Sequence, residues 1–332
     1  MNLDTIKVVL NQLRDPNKKS WILLSPSSLG ETLCLCSLSE SFIKKHGFSI
    51  TLVIPKTHEF ITLCYPNLFH NVLFMTVEEM RLFSSSNIIP RNFFELDFPI
   101  NTWTNQINDA NPKALFELFI KTSGVKGLNF IDMYRYNLRL DWEAPCRLPT
   151  LPIDLCDLTS RILIKKFEIK KKFVLIQGGN NTCYPTPSIY FNDICKKLKE
   201  LDIDVIFNSH GSTFKSNIEA LDNIKFLNLS ILEATSLANR AITIISGING
   251  FLSFLSALDL NKVIHTFLPN SVLIDPENLI FKEVDPQANS ALRALPDLIN
   301  PVNHILEYQV DEEPNELMRN GVLNSILENF HP

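Results

Sequence analysis

The chain has 332 residues, of which 45% are hydrophobic and 20% charged, so it is long enough to bury two cores of ordinary size. Its net charge of −5 provides no overall attraction to nucleic acid, which proteins usually bind with a basic face. The seven cysteines lack C-x-x-C spacing, which argues against a zinc site or a disulfide framework and favours a reducing, cytoplasmic compartment.

The first 20 residues are amphipathic and charged, unlike a signal peptide, and no apolar run in the chain is long enough to span a bilayer. We therefore expect a soluble protein.

The sequence of the N-terminal half predicts alternating strands and helices. Apolar runs at 20–26, 49–55 and 71–76 predict strands, and 29–47 predicts a helix. This βαβαβ order implies a parallel sheet covered by helices.

The pattern is irregular between residues 77 and 160, and we interpret the proline-containing stretch 143–155 as an inter-domain connection. The alternation then restarts. Strands are predicted at 172–179, 203–211, 224–230, 241–247 and 262–269, with helices at 187–200, 231–240 and 250–259 among them.

These elements predict an α/β protein with two Rossmann-like, doubly wound domains that face each other across a cleft. The expected boundaries are 1–160 for the first domain and 161–310 for the second. Residues 311–332 are expected to form a closing helix after an acidic, proline-bearing loop.

A run of small polar residues follows the first strand of the second domain: Gly178, Gly179, Asn180, Asn181 and Thr182. Open α/β sheets bind ligands beyond the carboxyl ends of their strands, and glycine lets the backbone approach a phosphate that neighbouring amides and hydroxyls can bind. An ordinary turn between strand and helix has the same composition, so both interpretations stay open here.

A second loop of this kind carries Gly247, Asn249 and Gly250 at a strand end, with Ser253 in the first turn of the next helix. Two such loops in one domain predict a phosphate-bearing ligand between them, although small residues also permit tight packing of helix on strand. His210, at another strand end, is a candidate contact for nucleotide or sugar, or a solvated loop residue, and Asn208 and Ser209 share its position and both interpretations.

In the first domain, Ser27, Ser28, Gly30 and Glu31 follow the first strand. A helix N-terminus favours an ionised Glu31, which suits a general base. The alternative is a first-turn acid that only complements the helix dipole.

The arrangement resembles the GT-B glycosyltransferases, and most of all the ADP-heptose lipopolysaccharide heptosyltransferases. The resemblance rests on the "LGE" loop, the Gly-rich loop that opens the second domain, and the segment "ILEATSLANRAITIISGINGFLSFLSALDLNKVI". That family carries an "LGD" loop whose Asp is the proposed base, and the matching residue here is Glu31. Its later signature matches at Gly250, Ala257 and Leu258.

Departures from the family occur at the donor site. Ile248 stands where the family has the Asp of its "DSG" motif, and Ser253 stands where it has a His. Tyr184 and Thr186 replace a Lys and a Trp, whereas Pro187 is retained.

The resemblance implies a metal-independent glycosyltransferase without a cofactor, which moves a sugar from a nucleotide-diphosphate donor to a hydroxyl of a surface-polysaccharide or glycoconjugate acceptor, as in lipopolysaccharide or capsule biosynthesis. Glu31 would be the base and the second domain would bind the donor. Two alternatives remain: a sugar-nucleotide epimerase of the same plan, and a non-catalytic binding protein with a degenerate donor site.

The expected partners are a nucleotide sugar and a glycan or glycolipid, without nucleic acid. The basic run 165–172 is consistent with peripheral contact with anionic lipid on the inner membrane face, and equally with a solvated linker.

Overall fold

A computed structural model describes residues 20–25, 28–76, 78–80, 130–177, 188–209, 221–269, 271–275, 280–283, 295–310 and 316–330. The chain divides into a first unit, Met1–Thr150, and a second unit, Leu151–Pro332. The division falls within the proline-containing stretch 143–155, earlier than the boundary predicted between residues 160 and 161.

The first unit contains a parallel sheet in the order β1-β2-β3. Its strands are β1 (Ser20–Leu24), β2 (Ser49–Pro55) and β3 (Asn71–Met75). The helices described in this unit are α1 (Leu29–His46), α2 (Glu59–Leu63) and α3 (Phe130–Asn137), with a 3-10 turn at Lys56–His58. The predicted parallel βαβαβ order is confirmed.

Helix α1 is buried on every face over nine successive residues, from Glu31 to Ser39. Its small Cys, Ser and Thr side chains allow close approach, and the helix packs against β2 and α3. The helix ends at Gly47, whose φ of 69° belongs to the left-handed region that glycine adopts most readily, and the Gly47 N–H closes the last turn on the Ile43 carbonyl.

The second unit contains more elements than the sequence predicts. Its helices are α4 (Ile153–Lys166), α5 (Ser188–Glu200), α6 (Ile231–Arg240), α7 (Gly250–Ala257) and α8 (Glu316–Leu327). Its strands are β4 (Phe173–Gln177), β5 (Asp204–Asn208), β6 (Ile224–Leu227), β7 (Ile244–Gly247), β8 (Val263–Pro269), β9 (Ser271–Asp275), β10 (Ile280–Glu283) and β11 (His304–Val310).

Six of these strands form a parallel sheet in the order β11-β8-β7-β4-β5-β6. The chain runs outward from β4 through β5 to β6 and then returns to place β7 on the other side of β4. The order of winding therefore reverses between β4 and β7. In open parallel sheets, the crevice beyond the carboxyl ends at such a switch point is where ligands bind.

One face of this sheet carries a large apolar core. It joins Val174, Ile176, Val205, Phe207, Ile245 and Phe267 of the sheet to Tyr190, Phe191 and Ile194 of α5 and to Val322 and Ile326 of α8. Arg319 of α8 donates twice to Asp193 Oδ2 of α5, at 2.8 and 2.6 Å. The closing helix is thus packed within the second unit.

Three features of the second unit depart from the sequence interpretation. Helix α4, which the sequence does not predict, begins within the predicted connection 143–155 and ends within the basic run 165–172, and it packs against α6. Strand β11 and the antiparallel pair β9–β10 were not predicted. β11 is an edge strand whose residues are largely exposed or half-buried, and its hydrophobic residues alternate only weakly. Its sequence pattern therefore does not identify it as a strand, whereas its pairing with β8 does.

Among the described residues, none of the helices is long and apolar enough to cross a membrane.

The packing of α8 can be tested by truncating one buried and one exposed side chain. Ile326 is fully buried, whereas Leu317 is 83% exposed. We expect Ile326→Ala to lower the free energy of unfolding by about 2–5 kcal/mol, because it leaves a cavity, and Leu317→Ala to change it little. Denaturant unfolding followed by circular dichroism makes the measurement, and equal effects of the two substitutions would contradict the packing.

Candidate functional site

In the first unit, polar side chains gather at the carboxyl ends of β1 and β2. Ser25 follows β1, Ser28 caps α1, Glu31 and Thr32 lie in the first turn of α1, and His58 ends the 3-10 turn after β2. Of the residues predicted on this side, Ser28, Gly30 and Glu31 are in place around the helix start, and Ser27 lies outside the described residues.

The Glu31 carboxyl is 96% buried and is held by the cap residue. Ser28 Oγ donates a hydrogen bond to Glu31 Oε2 at 2.6 Å and accepts one from the Glu31 backbone N–H at 3.4 Å. Burial raises the pKa of Glu31 to about 7, although hydrogen bonds from Ser28 and Tyr134 lower it in part. Desolvation therefore outweighs the helix dipole, and the expectation of a simply ionised Glu31 is wrong.

Glu233 and Glu79 show the ordinary arrangement, in which the carboxylate accepts from the backbone N–H three residues earlier. Glu233 accepts from the backbone N–H of its cap residue Ser230 at 2.8 Å, in a full capping box. Glu79 accepts from the N–H of Thr76 at 2.8 Å. Glu31 instead binds the cap hydroxyl and turns into the protein interior. This difference favours a chemical role for Glu31 over a capping role.

His58 extends the same network, and the sequence interpretation missed it. Thr32 Oγ1 lies 3.0 Å from the Ser28 carbonyl, 2.8 Å from Ser25 Oγ and 2.9 Å from His58 Nδ1. Because a carbonyl only accepts, the Thr32 proton is assigned to that bond, and His58 Nδ1 then carries a proton and donates to Thr32. Burial lowers the pKa of His58 to about 4, so the ring is neutral and its Nε2 is an acceptor.

Tyr134 of α3 closes the other side of the Glu31 site. Its phenol is buried, and its pKa is raised well above the usual value, first by burial and then by the neighbouring Glu31 and Cys34. The adjacent Arg135 is not a surface cation, because it is buried and donates to Asp132 Oδ1 at 2.7 Å and to the Ala144 carbonyl at 3.0 Å.

In the second unit, polar residues lie at the carboxyl ends of β4, β5 and β7. Gln177 ends β4, Asn208 ends β5, and Gly247 ends β7. Asn208 Nδ2 donates to Gln177 Oε1 at 2.7 Å, and Asn208 Oδ1 accepts from the Leu229 N–H at 3.1 Å. The sequence places both residues in predicted strands and marks Asn208, beside His210, as an ambiguous candidate contact, but it does not show that β4 and β5 are neighbours or that these two side chains are hydrogen-bonded.

The predicted donor residues at the start of α7 are in place. Asn249 caps the helix by accepting from the Leu252 N–H at 2.8 Å, and its amide nitrogen donates to the Gly247 carbonyl at 3.1 Å. Gly250 begins α7, and Ser253 lies in its first turn. The amides of Gly250 and Phe251 belong to the first turn and have no intrahelical acceptor, so this helix start offers N–H donors that a ligand can bind.

The remaining predicted donor residues lie outside the described residues. They are Gly178, Gly179, Asn180, Asn181, Thr182 and His210. Their assignment to a phosphate ligand stays a prediction.

Among the described residues, no group of three or more His, Cys, Asp or Glu side chains is arranged to hold a metal ion. Asp202 and Asp204 form an Asp-x-Asp sequence, but Asp204 begins β5 and so lies at the amino end of that strand, opposite the ligand edge. Both carboxylates are paired with Lys170.

Solved glycosyltransferases share this fold across most of the chain. The ADP-heptose lipopolysaccharide heptosyltransferase II of E. coli is 12% identical, with 94% of this chain and 97% of that chain covered and a TM-score of 0.58. A family 9 glycosyl transferase of Veillonella parvula is 10% identical, with 87% and 86% covered and a TM-score of 0.54. For E. coli heptosyltransferase WaaC with ADP, the values are 12% identity, 93% and 99% coverage and a TM-score of 0.50.

No protein-family model and no curated protein matches the sequence. At these identities the likeness concerns the fold, and it confirms the predicted heptosyltransferase-like GT-B architecture of two Rossmann-like units. The roles of individual residues rest on the geometry described above.

The buried Glu31 makes stability depend on pH in a defined direction. Its pKa is about 7 in the folded protein, against 4.5 as the reference value, so the folded state binds the proton more tightly. That contribution is fully present below pH 4.5 and is lost as the pH rises to 7. Because glutamine does not titrate, Glu31→Gln should gain up to about 3 kcal/mol of unfolding free energy relative to wild type over this range.

Denaturant unfolding at a series of pH values makes this measurement. Glu233→Gln is the matched control, since it removes a first-turn carboxylate that binds its cap backbone. If the free energy of unfolding had the same pH dependence in Glu31→Gln and in Glu233→Gln, the raised pKa of the buried Glu31 would be contradicted.

Proposed function

We propose that this protein is a metal-independent glycosyltransferase, which moves a sugar from a nucleotide-diphosphate donor to a hydroxyl of a surface-polysaccharide or glycoconjugate acceptor. The proposal is supported by the GT-B architecture and, above all, by the buried Glu31 in the first turn of α1. A general base works best when its pKa lies near the working pH, and Glu31 has a pKa of about 7.

In the proposed reaction, the Glu31 carboxylate takes the proton of the acceptor hydroxyl. The hydroxyl oxygen then attacks the anomeric carbon, and the bond from that carbon to the diphosphate oxygen breaks. The nucleoside diphosphate leaves with the bonding electron pair. Ser28 keeps one carboxyl oxygen of Glu31 in place through the 2.6 Å hydrogen bond.

The second unit is proposed to bind the donor. The start of α7 and the end of β4 provide N–H donors at the switch point of its sheet, which suits the phosphate oxygens of a nucleotide. Such donors stabilise the leaving diphosphate without a divalent cation. The E. coli protein WaaC was solved with ADP, which supports a nucleotide as the ligand class.

Activity is tested by following the release of nucleoside diphosphate from a panel of nucleotide sugars in EDTA, with and without pooled glycolipid and oligosaccharide acceptors. We expect acceptor-dependent release. Glu31→Gln should lower the rate about 10²- to 10⁴-fold, because the proton then has no acceptor. Glu31→Asp, which keeps a carboxylate, should retain part of the activity, and Glu233→Gln should retain all of it.

The pH profile gives a second check, because only the ionised carboxylate accepts a proton. The rate should rise with pH through a midpoint near 7. Release that does not depend on an acceptor favours an epimerase. No release from any donor, together with no thermal stabilisation by any nucleotide, favours a non-catalytic binding protein.

A further inference from the structure

A row of buried polar side chains crosses the sheet of the second unit near the carboxyl ends of its strands. Gln177 is in register with Asn208 on one side and with Ser246 on the other, and Ser246 is in register with Thr266. All four are at least 94% buried. Strands buried on both faces of a parallel sheet are ordinarily continuous apolar runs, so a polar row there calls for a function.

The orientation of the Gln177 carboxamide follows from a chain of hydrogen bonds. The Leu229 backbone N–H can only donate, so the atom of Asn208 that it contacts at 3.1 Å is the carbonyl oxygen. The amide nitrogen of Asn208 is then the atom 2.7 Å from Gln177, and the Gln177 atom that it meets is the oxygen. The Gln177 nitrogen diverges from that oxygen and therefore points away from Asn208.

Among the described residues, this nitrogen has no hydrogen-bond acceptor. Gln177 is 94% buried, and its one side-chain hydrogen bond there is the bond from Asn208 to its oxygen. A carboxamide N–H₂ without a protein acceptor is available to a ligand or to water that presents an oxygen.

The position of the group identifies the partner. Gln177 is the last residue of β4, and β4 with β7 forms the switch point of the sheet. The next helix beyond β7 begins with the donor amides of Gly250 and Phe251. Among the described residues at this edge, the carboxamide of Gln177 and the start of α7 are donors, which suit a ligand that presents acceptors, as a phosphate does.

We propose that the Gln177 carboxamide nitrogen donates a hydrogen bond to a phosphate oxygen of the nucleotide donor, and that Asn208 is the positioning residue that turns this nitrogen toward the ligand. The proposal rests on the proposed function, because it assumes that the second unit binds a nucleoside diphosphate. It adds Gln177 to the candidate donor residues and gives a specific role to Asn208, which lies at the same strand end as His210.

Two substitutions separate the Gln177 contact from the fold. Gln177→Glu keeps an oxygen for Asn208 and replaces only the free N–H₂ by a carboxylate oxygen. Asn208→Asp keeps the acceptor for the Leu229 N–H but removes the donor to Gln177, so the unchanged Gln177 turns its nitrogen inward and presents its oxygen to the ligand. Both variants therefore remove the N–H₂ donor of Gln177 from the ligand. Gln177→Glu does so by changing Gln177 itself, and Asn208→Asp does so by changing its hydrogen-bond partner.

The experiment is calorimetric titration of the full chain with ADP, GDP and UDP at pH 8. We expect one nucleotide to bind, with at least about tenfold weaker binding by each variant, because a hydrogen bond to a charged group is lost. Gln309→Glu is the control for charge, since it adds the same carboxylate at an exposed position on β11. Thermal unfolding of each variant confirms that it is folded.

A spectroscopic readout distinguishes positioning by Asn208 from a purely structural role. The side-chain N–H₂ resonance of Gln177, assigned by its loss in Gln177→Glu, should shift when nucleotide binds to wild type and stay fixed in Asn208→Asp. Nucleotide binding that is unchanged in both variants would overturn this inference alone. No binding of any nucleotide to wild type would overturn the proposed function together with it.

Discussion

The burial of the Glu31 carboxyl at the start of α1 is the constraint on which the proposed chemistry depends. Helix α1 is buried from Glu31 to Ser39. The Glu31 carboxyl in its first turn is therefore removed from water, and the cap residue Ser28 holds it there. The helix dipole and the Ser28 hydroxyl favour the charged form, whereas desolvation opposes it and is the larger effect. The result is a group near half ionisation at neutral pH, which is the condition a general base requires.

The two units offer opposite hydrogen-bonding chemistry at the carboxyl ends of their sheets. In the first unit, the Glu31 carboxyl and the neutral ring of His58 are acceptors, which suit a substrate hydroxyl. In the second unit, the start of α7 and the carboxamide of Gln177 are donors, which suit a diphosphate. This division matches a reaction that removes a proton from one substrate and leaves charge on the other.

The sequence predicts β1 to β8 and most helices, because apolar runs and small residues at strand ends mark both units, but it does not predict the antiparallel pair β9–β10. It does not predict β11, whose exposed edge position weakens its alternation, or α4, whose helical period is hidden behind prolines and a basic run. Glu31 was identified from its motif, but its protonation depends on burial by α3, which is distant in sequence. The bond between Gln177 and Asn208 follows from strand order and register, and the contact of His58 with Thr32 follows from the packing of the first unit, neither of which a motif contains.

The most direct test of this account is a carbon-13 NMR titration of the Glu31 carboxyl in labelled protein, with the resonance assigned by its loss in Glu31→Gln. The account predicts a midpoint near pH 7, because burial removes the carboxyl from water and this desolvation outweighs the hydrogen bonds that favour its charged form. A midpoint near 4.5, the reference value for this carboxyl, would show that Glu31 is an ordinary first-turn acid and would contradict its role as the base.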